Sequence, residues 1–179
     1  MECYFEKVSK FKDVDFPFPE RKTKNSAGYD LAAAEDIVIP SYLEHYFNLF
    51  DSDKDEKVKT LEELASMTKA LKAKPTLVPT GVKCHLPSDK YLELSVRSST
   101  PLKYWLIMAN GIGIIDSDYC DNPDNEGHIF LQMINLSPFP IHIHRGDIIG
   151  QGIIKSYNVV DNDSALGERV GGFGSTTTK

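Results

Sequence analysis

Between Asn110 and Tyr119 the chain reads NGIGIIDSDY, placing two glycines, two carboxylates and one phenol within ten residues. Glycine has no Cβ, so Gly111 and Gly113 allow the backbone to approach a ligand and to take positive φ. Asp116, Asp118 and Tyr119 then offer a base or a metal contact beside a flat apolar surface. The segment is expected to form a β-hairpin arm. A second glycine-rich patch, GGFGST from Gly171 to Thr176, lies within the last nine residues. A single site for a ringed, phosphorylated ligand would use both.

Such residues need a rigid sheet to hold them, and the sequence supplies short strands. The runs AGYDLAAAEDIVIP, TLVPTGVKCHLP, YLELSVRSS, YWLIMANGIGIID, HIFLQMINL, PIHIH and DIIGQGIIKSY are rich in Ile, Val, Leu and Tyr. Many alternate in polarity, and Pro, Gly, Asn or Asp bound them. That regular spacing predicts a mainly β fold, an antiparallel sandwich or barrel. Alternation in Ile141–His144 puts His142 and His144 on one strand face, read as exposed for want of a third metal ligand.

Residues 41–74 break this pattern, being charged and helical in period. SYLEHYFNLF and TLEELASMTKALKAK read as two helices, the second opened by a capping box of Thr60 and Glu63. The expectation is an α-helical hairpin inserted between strands. In its loop Asp51, Asp53 and Asp55 alternate, Val58 is apolar, and Glu62 stands twelfth from Asp51. That spacing resembles an EF-hand loop, which takes oxygen ligands at places 1, 3, 5 and 12, and so Ca²⁺ is a candidate ligand. Glu56 stands where the sharp turn calls for glycine, and a solvated acidic turn is the preferred reading.

At 179 residues and a net charge of −6, one domain with a sizeable core is expected, with no basic block for nonspecific nucleic-acid binding. Bound phosphates would need glycine-rich backbone, a few arginines and a divalent cation. Three cysteines, Cys3, Cys84 and Cys120, lack zinc-type spacing and suit a reducing cytoplasm. The start, MECYFEKVSKFKD, is too charged for a signal peptide, and no apolar run is long enough to span a membrane. A soluble, cytoplasmic chain is expected.

Five motifs follow in order: AGYDLAA (27–33), RSS (97–99), NGIGIIDSDY (110–119), RGDIIGQGI (145–153) and RVGGFGST (169–176). Together they resemble the trimeric dUTPases, which hydrolyse dUTP to dUMP and pyrophosphate. The resemblance covers nearly the whole chain outside the helical insertion. It implies one domain over 1–179 with a jelly-roll β subunit, a homotrimer with shared active sites, Mg²⁺, and a flexible lid over 167–179. It assigns Asp116 as the carboxylate that orients and deprotonates the attacking water, and Asn110, Gly111 and Gly113 as readers of uracil. Tyr119 would pack on the sugar and Phe173 stack on the base. Arg97, Ser98, Ser99, Gln151, Arg169, Ser175 and Thr176 would meet phosphates, for which guanidinium, amide and hydroxyl donors are suited. Asp30 would hold water around Mg²⁺, a cation that keeps much of its hydration shell.

The chain also departs from that pattern. Arg169 lies four residues before Phe173, one fewer than the resemblance implies, and Ile148 replaces an expected arginine. After Tyr119 the turn expands to CDNPDNEGHI, whose Asp121, Asp124 and Glu126 could touch a cation but read first as a surface loop. Arg145–Asp147 spells RGD and reads as a tight turn before a strand. Two alternatives remain open. One is a dCTP deaminase of the same fold, which needs a pocket glutamate that only Glu126 approaches. The other is a nucleotide-sensing regulator that meets a protein partner through its insertion. No Walker pattern is present, and NGIGIID ends in Asp where a dinucleotide fingerprint needs Gly.

Overall fold

The computed structural model describes residues 2–47, 60, 62 and 74–172. It carries eleven short strands, and all the ladders between them are antiparallel. The expected run AGYDLAAAEDIVIP splits at its acidic turn into β2 (Tyr29–Ala32) and β3 (Ile37–Ile39). TLVPTGVKCHLP likewise becomes β4 (Thr76–Pro79) and β5 (Val82–His85), with Gly81 at φ +71 making the corner. Strands β6 (Lys90–Val96), β9 (Phe130–Asn135), β10 (Ile141–Ile143) and β11 (Ile148–Ser156) fall where alternation predicts them. A further strand, β1 (Tyr4–Lys7), pairs with β5 and was not foreseen.

Four sheets result: β1-β5, β10-β3, β2-β11-β6-β8 and β4-β9-β7. Between them lies one core that includes Leu31, Ile39, Leu92, Leu94, Leu131, Met133 and Ile149, each less than 3 % exposed. Burying such a side chain stabilises the fold by about 1.5–3 kcal/mol. In β9 every second residue is buried, and the last of these is polar Asn135. Its amide donates to the Ile39 and Phe139 carbonyls and accepts from Ser137 N–H, so burial leaves it fully paired.

Two expectations need correcting. The segment read as a hairpin arm does not pair with itself. β7 (Leu106–Met108) joins β9, whereas β8 (Gly113–Asp116) joins β6 in another sheet. The connection between them is a tight turn with Gly111 at φ +70, where Ile112 N–H reaches Asn110 O at 2.8 Å. The chain uses its glycine to cross from sheet to sheet rather than to fold back. Second, the polar RSS segment is not a simple turn. It leads into helix α2 (Ser99–Tyr104), which ends at Trp105 in the left-handed conformation. Pro101 sits in that helix's first turn, where its missing N–H is harmless.

Of the inserted hairpin, α1 (Tyr42–Phe47) is described. Ser41 caps it, accepting from Glu44 N–H at 3.0 Å and donating to Ser137 O at 2.6 Å. Glu62 is helical and exposed. Asp51, Asp53, Asp55 and Glu63 lie outside the described residues, as do Phe173, Ser175 and Thr176. Among the described residues no helix is long and apolar enough to cross a membrane.

Candidate active site

Strand β8 and the short helical turn after it (Ser117–Tyr119) bring the NGIGIIDSDY chemistry to one pocket. Asn110, Gly113 and Asp116 line it together with Tyr119, Gln132 and Arg169. Gly113 pairs with Leu94, and a Cβ there would press on the Leu94 side chain at 3.1 Å. Asp116 is exposed at the strand end, whereas Tyr119 is 6 % exposed. The phenol donates to His128 O at 2.9 Å and accepts from Asn125 at 2.8 Å, and burial pushes its pKa up. Its hydroxyl is thus fully engaged.

The tail reaches this pocket. Arg169 spans both carboxylates, with Nε 2.7 Å from Asp118 Oδ1 and Nη2 2.5 Å from Asp116 Oδ2. Its guanidinium carbon stands 5.8 Å from the centre of the Tyr119 ring. Gly171 and Gly172 are buried, and a Cβ on Gly172 would fall 2.9 Å from Tyr119 Cε2. Nothing in the sequence joins Arg169 to Asp116 and Asp118, because the contact spans more than fifty positions.

The loop Cys120–Gly127, expected as a surface loop, exposes Asp121, Pro123 and Asp124 and is also anchored at nearly every residue. Asn122 is 5 % exposed, donates to Tyr119 O at 2.7 Å, and accepts from the Asp124 and Asn125 N–H groups. Gly127 closes the loop at φ +78, where a Cβ would lie 2.7 Å from Cys120 Cα. Glu126 accepts from both the backbone N–H and the hydroxyl of Ser9 and from Lys83. The Ser9 backbone N–H foremost holds its carboxyl below the usual range. So engaged, Glu126 is not free to serve a pyrimidine pocket as a deaminase requires.

A second polar group forms where β2, β11 and β6 lie side by side. Register sets Asp30 opposite Gln151 and Gln151 opposite Ser95. Gln151 Nε2 donates to Ser95 Oγ at 3.2 Å, and Arg97 Nε is 3.2 Å from Asp30 Oδ1. Asp30 is 8 % exposed, and its Oδ2 is buried with no hydrogen-bond partner among the described residues. Ser98 is exposed and Ser99 half-buried at the start of α2. Ser95 was missed by sequence reading, although it lies within the same YLELSVRSS run as Arg97.

Within the subunit Asp116 and the polar row face different stretches of β6. Both read off β6, but Asp116 pairs with Tyr91 while Gln151 pairs with Ser95, and Arg97 lies beyond the strand end. At ~3.3 Å per residue the separation along the strand is roughly 13–20 Å. His142 and His144 are exposed, as expected, and Arg145–Asp147 forms a tight turn with Gly146 at φ +93.

Comparison with known proteins gives the same direction. The dUTPase family model matches residues 63–177. A deoxyuridine 5'-triphosphate nucleotidohydrolase of Lactococcus lactis is 36% identical over 174 residues, covering 96% of this chain and 95% of its own. Among solved structures, a dUTPase from Streptococcus mutans aligns with a TM-score of 0.68 and 32% identity, over 88% of this chain and 98% of that one. A dUTPase from phage phi11 of S. aureus shares the fold at TM-score 0.61 and 16% identity, covering 93% and 97%. A mutant of that phage enzyme coordinates a structural Mg(II) ion.

Proposed function

The chain belongs to the dUTPase family, and on that premise we propose that it hydrolyses dUTP through an active site divided between subunits. The observation that carries this reading is the pocket shared by Asn110, Asp116, Tyr119 and Arg169, set apart from the polar row of Asp30, Gln151, Ser95 and Arg97. Within one subunit Asp116 and the Gln151 row face different stretches of β6. A second copy could supply that row. Leu102, Tyr104, Trp105 and Ile107 are all exposed within six residues, an apolar surface that suits contact between copies in a homotrimer.

Asn110 and the backbone of Gly111–Gly113 read the uracil edge. The Tyr119 ring packs against the deoxyribose, where a 2′-hydroxyl has no room and no partner. Asp116 accepts the proton of a water as its oxygen bonds to the α-phosphorus. The bond from that phosphorus to the bridging oxygen breaks, and pyrophosphate leaves. Arg169 now lies on Asp116 and Asp118. Phosphate oxygens are stronger partners for a guanidinium, so bound nucleotide draws Arg169 across and frees Asp116 for water. Phe173, Ser175 and Thr176 follow in the same tail and close over base and phosphates, excluding water.

The unpartnered Oδ2 of Asp30 fits an acceptor for a water in the shell of Mg²⁺, with Gln151, Ser98, Ser99 and Arg97 as phosphate donors. When bound, Mg²⁺ supplies charge neutralisation on the phosphates. Asp51, Asp53, Asp55 and Glu62 would hold Ca²⁺ in the insertion, and absence of heat on titration with calcium would remove that assignment. The free thiols support a cytoplasmic location.

Offering dUTP, dCTP and UTP with Mg²⁺ tests the reading. Pyrophosphate should form from dUTP alone. Ammonia from dCTP, or tight dUTP binding without turnover, would overturn it.

A further inference from the structure

We propose that His85, Cys120 and Asp121 form a binding site for a thiophilic divalent cation, Zn²⁺, between the end of β5 and the loop that follows Tyr119. Their ligand atoms lie within 4.8 Å of one another. His85 ends β5, while Cys120 and Asp121 open the anchored loop, so the site ties that loop to the β1-β5 sheet.

The geometry suits that ion. Sulfur and nitrogen ligands at ~2.3 and ~2.0–2.1 Å from a tetrahedral Zn²⁺ lie roughly 3.6 Å apart. Cys120 Sγ is 3.5 Å from His85 Nδ1. In the metal-free protein that spacing is a thiol hydrogen bond, which the ion would replace without moving either strand. The other ring nitrogen, Nε2, is 2.8 Å from Glu6 Oε2. A proton held there by the carboxylate leaves the Nδ1 lone pair facing Cys120, the arrangement by which second carboxylates orient metal-bound imidazoles. Tyr4 stacks on the His85 ring at 4.3 Å and fixes its plane.

Local charge favours a dication as well. Lys83 is surrounded by three carboxylates, Asp121 at 2.5 Å, Glu126 at 3.2 Å and Glu6 at 3.6 Å. Three negative charges against one ammonium leave the cluster two short of neutrality. Lys83 bonds Oδ1 of Asp121, and the same carboxylate hydrogen-bonds the Cys120 side chain, which sets it against the thiol the ion would take. On binding, Cys120 releases its thiol proton to solvent and a Zn–S bond forms. Burial and the neighbouring Asp121 hold that thiol pKa up to about 11, so the ion rather than pH must drive the proton off. The fourth position goes to water.

Titration of metal-free protein with Co²⁺ provides the readout. One equivalent should produce a thiolate-to-cobalt absorption band in the near ultraviolet, and Zn²⁺ should bleach it stoichiometrically. Cys120→Ser should abolish the band while leaving dUTP hydrolysis in place. Glu6→Gln should keep the band but weaken affinity by roughly 10- to 100-fold. Zn²⁺ should raise the Tm of the parent protein by several degrees and that of Cys120→Ser by none. No band in the parent, or an undiminished band in Cys120→Ser, would overturn the proposal. Should Cys120→Ser fail to fold, His85→Gln serves in its place, and its retention of the band would be equally decisive against it.

Discussion

The two ends of strand β6 solve the same problem, holding polar groups for a charged ligand, by opposite means. At the Asp30 end, register does the holding. Asp30, Gln151 and Ser95 are lined up by backbone ladders, with Gln151 bonded to Ser95 and Asp30 paired with Arg97, in a row that is buried or half-buried. At the Asp116 end the carboxylate is exposed, and its partner Arg169 arrives from a distant tail. One group is formed with the sheet, whereas the other is completed by a residue from the chain's far end. On the proposed function, a row that binds phosphates benefits from rigidity, and a base that must be freed and then enclosed benefits from a movable partner.

The comparison can be broken most directly at Asp116. Asp116→Asn should lower turnover by roughly 10²–10⁴ while dUTP still binds, as measured by steady-state kinetics beside equilibrium titration. Near-normal turnover would place the base elsewhere. Deleting 171–179 removes the proposed closing segment together with the buried Gly171 and Gly172, the second of which packs beside Tyr119, and spares every strand. Activity should fall by about 10² with an unchanged unfolding transition, since loose positioning costs on that order. A truncated chain that fails to fold would show that the tail belongs to the core.

Mixing subunits sharpens the comparison further. Asp116→Asn and Gln151→Ala proteins, each nearly inactive, should regain activity when unfolded together and refolded in equal amounts. If the two halves come from different copies, roughly a quarter of the sites recover both native residues by random assortment. If both halves come from one copy, none do.

The smallest effect concerns stability under the Asp116 half. His128 is 6 % exposed, and its Nε2 accepts from Gly81 N–H at 2.9 Å. Burial foremost, with Lys10 adding to it, lowers its pKa to about 4. The unfolded chain therefore binds more protons between about pH 6.5 and 4, so the stabilisation present above pH 6.5 is lost as pH falls through that window. The shift corresponds to about 3 kcal/mol. His128→Gln should flatten the fall in Tm across this range by a corresponding amount, and an unaltered profile would assign the acid sensitivity to other groups.

Much of this was legible in the sequence, because strand alternation and turn residues are local signals. β6, β9, β10 and β11 fell where polarity alternates, and the pocket residues Asn110, Asp116 and Tyr119 sat together in one short motif. What stayed hidden was set by distance or by competition. β1 is short and half charged, and it owes its existence to pairing with β5. Helix α2 lay in the link between two strand runs, where the polar RSS segment read as a turn, although Pro101 after two hydroxyl residues was a usable start signal. The expected hairpin failed because β7 and β8 each found a better partner in a different sheet. Arg169 on Asp116, and Glu126 on Ser9, are contacts that no window of sequence contains.

That last contact reaches beyond the loop it closes. Ser9 grips Glu126, Glu6 reaches both Lys83 and His85, and the loop they steady carries Tyr119 at its head. The opening stretch of the polypeptide is thus a buttress for the nucleotide pocket it never touches. An affinity handle fused there, or a few residues trimmed for convenience, would change what is being assayed.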